Sequence, residues 1–251
     1  MTQCGCDGIP GAGCGAPDFP PLFEVEEASG DAFTRAVEAA AAGAGAGTLV
    51  WARPDGALDV AVVFEPDRPL VHAWPAVLVA MLAAADALAA AAPPQKPIGF
   101  AWPDRILVDG GEVGRVRAAA PPGAVPAETA DWLVVGLTLR LRHDGTLEPG
   151  HDPGRTSLAE EGFDTVDPAL LAGAFARHLL HWVSGWQTAG LAEAAEHWLA
   201  HLPQAGPEGP GHGLDPATGD LLVLRPGALA PERHNLADAL ARGADTLARG
   251  A

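Results

Sequence analysis

Two kinds of hydrophobic pattern divide the chain. Apolar runs of strand length, bounded by Gly, Pro and Asp, predict strands at 48–52, 57–66, 98–102, 105–110, 112–120 and 132–142. Alanine-rich content and apolar residues three or four apart predict helices at 28–43, 76–92, 168–202 (a pair joined near Gly190) and 234–248. This order indicates an α+β fold with a mixed, mainly antiparallel sheet backed by helices, because repeated βαβ units are missing from it.

Turn signals add detail to this outline. Arg-Pro-Asp-Gly at 53–56 and Asp-Gly-Gly at 109–111 predict two hairpins. We divide the chain into a flexible Cys/Gly/Pro-rich tail (1–21), a main domain (22–203) and a small C-terminal module (204–251) that holds a hairpin-like stretch at 213–227.

Charge narrows the range of partners. The formal net charge is −17, and Lys96 is the only lysine among the 15 basic residues. Such a field repels nucleic acid and anionic membranes, so we expect neither as a partner. The apolar stretch 76–92 contains Asp86 and is short for a bilayer span, which predicts a buried helix. No secretory signal is visible at the N-terminus, so the expected compartment is the cytoplasm.

Other kinds of site find little support in the sequence. Cys4, Cys6 and Cys14 all lie in the tail and are one ligand short of a four-thiolate site, so no metal is assigned to them. Two histidine pairs at helical spacing, His178 with His181 and His197 with His201, lack the acid of a zinc motif. No Gly-x-Ser-x-Gly elbow or cysteine within the main domain indicates a hydrolase.

Several weak motifs in a fixed order resemble the biotin and lipoate protein ligase superfamily, in its divergent bacterial branch with a small C-terminal module. They are GAGAGTLVWARPDGALDVAVVFEP (43–66), AWPDRILVDGGEVGRV (101–116), LVVGLTL (133–139), RTSLAEEG (155–162) and GLDPATGDLLVL (213–224). The resemblance implies a class II synthetase-like catalytic domain. It also implies a two-step activity, in which ATP and a biotin- or lipoate-type acid form an acyl-adenylate and a carrier lysine then accepts the acyl group. ATP, magnesium, a small carboxylic acid and a carrier domain are the implied ligands and partners.

The sequence departs from the family pattern where positive charge is expected. Ala44, Ala46, Gly47 and Leu49 occupy arginine positions of the glycine-arginine loop, Ala101 replaces the lysine before Trp-Pro, and Glu112 replaces a hairpin lysine. Loss of one charged transition-state donor costs about 2.7–4 kcal/mol, so uncompensated losses would leave little catalysis.

We predict that arginines on the sheet compensate. In a strand, residues two apart share a face, so Arg115 and Arg117 point together, as do Arg140 and Arg142. Arg115 and Arg117 are therefore the candidate catalytic residues, with Arg53 and Arg105 at the edges of the patch. The alternative is that these arginines face solvent and offset an acidic surface.

The remaining candidate positions are implied by the resemblance. The predicted ligand-binding residues are Gly43, Gly45, Gly47, Trp51, Arg53, Trp102, Asp104, Arg105, Gly114 and Gly136. Simple structural roles stay open, because the glycine run at 43–47 can be a linker, Trp102 can pack in the core and Asp104 can cap a turn.

Three functions remain open at this point. The first is an ATP-dependent ligase of the biotin/lipoate type with degenerate phosphate-binding motifs. The second is a catalytically inactive homologue that binds a small acid or an acylated carrier domain. The third is an acyltransferase that starts from an activated acyl donor.

Overall fold

A computed structural model describes residues 16–54, 56–93, 95–143, 154–163, 166–203 and 209–248, with side chains as far as 243. The strands are β1 Glu24–Glu27, β2 Thr48–Ala52, β3 Ala57–Phe64, β4 Ile98–Ala101, β5 Arg105–Val108, β6 Gly111–Ala119, β7 Leu133–Arg140, β8 Gly211–Leu214, β9 Leu221–Leu224 and β10 Glu232–His234. The helices are α1 Ala32–Ala41, α2 Leu70–Ala73, α3 Ala76–Ala91, α4 Pro168–Ala189, α5 Ala192–Ala200 and α6 Leu236–Ala248.

A seven-stranded sheet organises the main part of the chain. Its strand order is β1-β2-β3-β7-β6-β5-β4, and every neighbouring pair is antiparallel except β1 with β2. The predicted mixed, mainly antiparallel sheet is confirmed. Strand β1 was not predicted, because the short acidic sequence EVEE has no alternating apolar pattern.

One face of the sheet, here called the helical face, packs against α3, α4 and α5. Twelve of the sixteen residues of α3 are buried in this core, as an all-round apolar helix requires. Asp86 lies at the edge of this core with its side chain 40% exposed, and its carboxylate accepts a hydrogen bond of 2.7 Å from the indole N–H of Trp182. The stretch Leu70–Ala91 is long and apolar enough to cross a membrane, but 78% of its most apolar window is buried inside the protein. The predicted buried helix at 76–92 is thus confirmed.

The opposite face, here called the α1 face, carries a second and smaller core. Small residues of α1 (Ala32, Ala36 and Ala40) lie on Val50, Ala61, Val63 and Val134 of the sheet. Alanine at these contacts lets the helix approach the strands closely. Because α1 connects the parallel strands β1 and β2, its ends are fixed at opposite ends of the sheet.

Capping decides where the predicted helices begin and end. The first begins at Ala32 and not at residue 28, since Asp31 accepts a bond of 2.7 Å from the backbone N–H of Thr34. The pattern at 168–202 is two helices, as predicted, and the break falls at Gly190, whose φ of +81° suits glycine.

The C-terminal part forms a three-stranded sheet of order β10-β9-β8 followed by α6. Arg233 of β10 connects that strand to the turn between β8 and β9. It pairs with two aspartates of this turn, Asp215 and, at 2.9 Å, Asp220. The second oxygen of Asp220 accepts the N–H of Leu236 at 2.9 Å and so fixes the start of α6. This network orients α6 relative to the small sheet.

Trp198 is the largest fully buried side chain of the helical core and packs edge-on against Trp102. We expect Trp198→Ala to lower the free energy of unfolding by about 3–5 kcal/mol, because the cavity it leaves cannot fully collapse. Leu170→Ala on the exposed side of α4 is the control and should stay within about 0.5 kcal/mol. Urea denaturation measures both variants, and equal effects would contradict this description of the core.

Candidate functional site

Polar residues line up across the α1 face of the sheet. Strand register places Asp59 beside Thr138, Thr138 beside Arg115, and Arg115 beside Arg105. In the next row, Arg117 lies beside Gly136. We call Asp59, Thr138, Arg115 and Arg117 the polar strip. It is the candidate site, because it brings ionisable groups together in a largely covered setting.

Arg117 is held on three sides. Its guanidinium pairs with Asp31 at 2.8 Å and donates to the hydroxyl of Thr138 at 3.3 Å. The same group lies over the ring of Phe33, 4.6 Å from its centroid. Burial raises the pKa of Asp31, but hydrogen bonds from Arg117 and Thr34 outweigh it, and the net pKa is lowered. Arg117 therefore ties the start of α1 to the sheet.

Asp59 is the most unusual group of the strip. Its side chain is buried at 6% exposure, and among the described residues its Oδ1 has no hydrogen-bond partner. Burial raises the pKa of Asp59, while a hydrogen bond with Thr138 and the charge of Arg117 offset part of that rise. The Nε of Arg117 is likewise buried with no partner in the described structure. An unsatisfied acceptor and an unsatisfied donor thus lie on either side of one hydroxyl.

The other arginines of this face surround Glu112. Arg115 and Arg105 lie 3.5 and 3.6 Å from its buried carboxylate. Arg140 donates instead to the backbone carbonyls of Glu112 at 3.1 Å and Thr156 at 2.6 Å. The chain therefore already supplies an acceptor to each arginine of this face.

Phe33 occupies the space above Gly136. A Cβ atom at Gly136 would lie 2.7 Å from the Phe33 ring, so the ring rests directly on the glycine. Ala52 and Ala61, which flank Asp59 on this face, are also small. The floor of the strip therefore consists of small residues, and Phe33 fills the volume above part of it.

Comparison with known proteins gives the strip a context. Residues 19–200 match the profile of the biotin/lipoate A/B protein ligase family. The chain belongs to this family. The family membership and the fold class expected from the sequence are both confirmed.

Solved structures agree with the family assignment. A biotin protein ligase-like protein of unknown function from Silicibacter sp. TM1040 is 28% identical over 89% of this chain and 99% of its own, with a TM-score of 0.76. Biotin protein ligase from Aquifex aeolicus is 16% identical over 85% of this chain and 96% of its own, with a TM-score of 0.66. The same enzyme in complex with biotin and ATP is 15% identical over 83% and 94%, with a TM-score of 0.61. A comparison with curated proteins gives no match.

The structure does not bring all the predicted site residues together. Arg115, Arg117 and Gly136 lie on the α1 face, with Arg105 beside Arg115. Arg53 instead stacks on Trp51, 5.0 Å from its ring, and Trp51 is buried in the core of the helical face. The arginines thus occupy both faces of the sheet.

The glycine run and the Trp-Pro-Asp corner are also far apart. Gly43, Gly45 and Gly47 precede β2, whereas Trp102 and Asp104 precede β5. Four strand spacings separate β2 from β5, which is about 19 Å across the sheet. A ligand that touched both segments would have to span that distance, and a ligand-binding role for these residues stays a prediction.

Trp102, Asp104 and Gly114 have structural contacts in their present positions. Trp102 packs on Trp198 with ring centroids 5.8 Å apart, and Asp104 lies beneath α6, where burial raises its pKa. Gly114 lies so close to the backbone of Thr138 that a Cβ would collide with its carbonyl oxygen. These contacts explain the residues without a ligand, and a ligand-binding role stays a prediction.

Sequence reasoning missed the other half of the polar strip. Asp59 is one acid inside an otherwise apolar strand, and Thr138 is one hydroxyl in another, so each is a weak but visible signal. Their alignment depends on the pairing of β3 with β7, which the sequence did not predict. No group of three or more His, Cys, Asp and Glu side chains suited to a metal ion occurs in the described parts of the chain. Cys4, Cys6 and Cys14 lie outside those parts.

Substitution of Asp31 should separate its two roles. Asp31→Ala removes both the helix cap and the ion pair, and we expect the free energy of unfolding to fall by about 1–2 kcal/mol. Asp31→Asn keeps a good cap and removes the charge, so its loss should be less than about 1 kcal/mol. Equal losses in thermal or urea unfolding would show that the cap contributes nothing.

Asp59 should make stability depend on pH. Its pKa is raised in the folded protein, so the native state binds more protons than the unfolded chain at pH values just above the pKa of an ordinary aspartate. The contribution of Asp59 to stability therefore declines as pH rises through that window. Asp59→Asn should gain stability relative to the wild type between pH 4 and pH 7, as measured by urea unfolding. A difference that is constant with pH would contradict a raised pKa.

Proposed function

We propose that the protein binds an acyl group of the biotin or lipoate kind, as a small acid or on a carrier domain, and that it does not adenylate that group. The observation that supports this most is that three arginines on the α1 face are already paired with carboxylates of the protein. Arg117 pairs with Asp31 at 2.8 Å, while Arg105 and Arg115 share the carboxylate of Glu112. ATP would have to displace these carboxylates to reach the same donors.

Glu112 also opposes phosphate by its charge. Its buried carboxylate lies 3.5 and 3.6 Å from the arginines that would hold phosphate oxygens. Charge that develops on a transferring phosphate would meet a fixed negative group at close range, which disfavours the transition state. The resident side chains therefore do not fit a triphosphate in their present arrangement.

The glycine run is poorly placed to bind phosphate. The N–H groups of Gly43, Ala44 and Gly47 already donate to the carbonyls of Ala40, Ala39 and Val63, at 3.0, 2.9 and 2.9 Å. The run also follows the C-terminal end of α1, where the helix dipole is negative. Phosphate binding needs free N–H groups at the start of a helix, which is the reverse arrangement.

The class of ligand rests on the family. Biotin protein ligases of Aquifex aeolicus and Leishmania major have been solved with biotin bound. Both are under 20% identical to this chain and show the shared fold. At such low sequence identity, a homologue can keep the surface that binds the acyl group and lose the adenylation activity, since one fold hosts many functions.

A second candidate is the ATP-dependent ligase itself, with ATP, magnesium and a carrier lysine. The observation that favours it is the gathering of Arg105, Arg115, Arg117 and Arg140 on one face. In that case Glu112 would have to leave Arg115 and Arg105 when ATP binds. Arg115 and Arg117 would then be the residues that stabilise the transferring phosphate.

Pyrophosphate exchange distinguishes the two candidates. The purified protein is given ATP, magnesium and labelled pyrophosphate with biotin, lipoate or octanoate in separate reactions, and Aquifex aeolicus biotin protein ligase with biotin is the positive control. We expect no exchange above the blank with any acid. Exchange that requires one acid, and that Arg117→Gln abolishes, would establish the ligase.

Binding is measured without ATP. Calorimetric titration with biotin, lipoate and their amides should detect at least one ligand. If the folded protein binds none of them, the proposed function is wrong even when exchange is absent.

A further inference from the structure

We propose that the polar strip recognises an uncharged amide-type group and discriminates against a free carboxylate. This rests on the proposed function and specifies which form of the acyl group the site takes. Two atoms define it: the acceptor Oδ1 of Asp59 and the donor Nε of Arg117, both buried and, in the described structure, without partners.

An unmet donor and an unmet acceptor are costly to keep buried. Each carries a desolvation penalty of about 1–3 kcal/mol that a ligand or a water molecule would relieve. The two residues are close, since both hydrogen-bond to Thr138, Arg117 at 3.3 Å. A group that offers one N–H and one carbonyl oxygen can satisfy both atoms at once.

The surrounding charge selects against an acid. Asp31 and Asp59 both act on this region, and the charge of Asp31 raises the pKa of Asp59. The two arginines beside Thr138 in the described structure already have carboxylate partners, because Arg117 lies 2.8 Å from Asp31 and Arg115 lies 3.5 Å from Glu112. A ligand carboxylate would add a further negative charge with no unpaired cation beside it, whereas an amide adds none.

Phe33 controls the room available for that group. Its ring rests on Gly136 next to Arg117, and the neighbouring floor residue Ala61 is small. A ligand reaches the unmet atoms when the ring rotates off the glycine. The wild type bears the free-energy cost of that movement, so a smaller side chain at 33 should strengthen binding.

The test compares matched ligands by calorimetry at pH 7. Lipoamide is titrated against lipoate, and octanamide against octanoate, because neither of these acids carries another amide-type group. We expect at least one amide to bind about tenfold or more tightly than its acid, a ratio that corresponds to ~1.4 kcal/mol. Nε-lipoyl-lysine separates the sources of the amide, because tighter binding than lipoamide would indicate an acylated carrier and equal binding a free amide.

Variants locate the effect at the strip. Asp59→Asn removes the repulsion and should shrink the amide-to-acid ratio, chiefly by improving the affinity for the acid. Thr138→Val removes the hydroxyl that positions both unmet atoms and should weaken the amide. Phe33→Ala should tighten the amide. Asp131→Asn, at an exposed site before β7, is the matched control and should leave the ratio unchanged.

The outcomes separate this inference from the function on which it rests. Acids that bind as tightly as their amides would overturn the inference and leave the proposed function standing. A ratio that Asp59→Asn leaves unchanged would also overturn it, since Asp59 would then not face the ligand. Absence of binding by all four ligands, with folding confirmed by circular dichroism, would overturn both.

Discussion

The ion pair between Arg117 and Asp31 is the contact on which the α1 side of the molecule depends. Asp31 caps α1, and Arg117 lies in the middle of the sheet, so one bond of 2.8 Å joins a helix start to a strand centre. Phe33 stacks under the same guanidinium and seats on Gly136. The position of α1, the packing of Phe33 on Gly136 and the pairing of Arg117 with Asp31 therefore depend on one another. A ligand that uses Arg117 must compete with the packing of α1.

This arrangement accounts for the contrast between the fold and the chemistry of the chain. The family fold is kept across the sheet and helices, and its core is apolar as the sequence pattern requires. The positive groups that could hold phosphate are instead matched by Asp31, Glu112 and backbone carbonyls. Such pairing gives modest stability, but it removes the free donors that anion binding needs. That distribution of charge supports our proposal of a binding protein without adenylation.

The sequence predicts the layered architecture well and the site only in part. The apolar strand runs and the alanine-rich helix determine the sheet and its helical face, because burial of those residues allows few alternatives. Arg115 and Arg117 were placed on one face by simple alternation, and the structure has them there. Asp59 was missed because its environment depends on β3 pairing with β7, a contact between residues about 80 positions apart. Gly43 and Trp102 were both assigned to ligand binding from the family resemblance, yet strand order places them toward opposite edges of the sheet.

A double-mutant cycle on Asp31 and Arg117 measures whether their ion pair holds α1 on the sheet. The free energy of unfolding is measured for the wild type, Asp31→Asn, Arg117→Gln and the double variant. We expect a coupling of at least about 0.5 kcal/mol, because the two side chains are in contact and share the burial of the α1 start. Additive effects within error would contradict it. Arg117 could then bind a phosphate without weakening the packing of α1, and the ATP-dependent ligase would become the better proposal for the function.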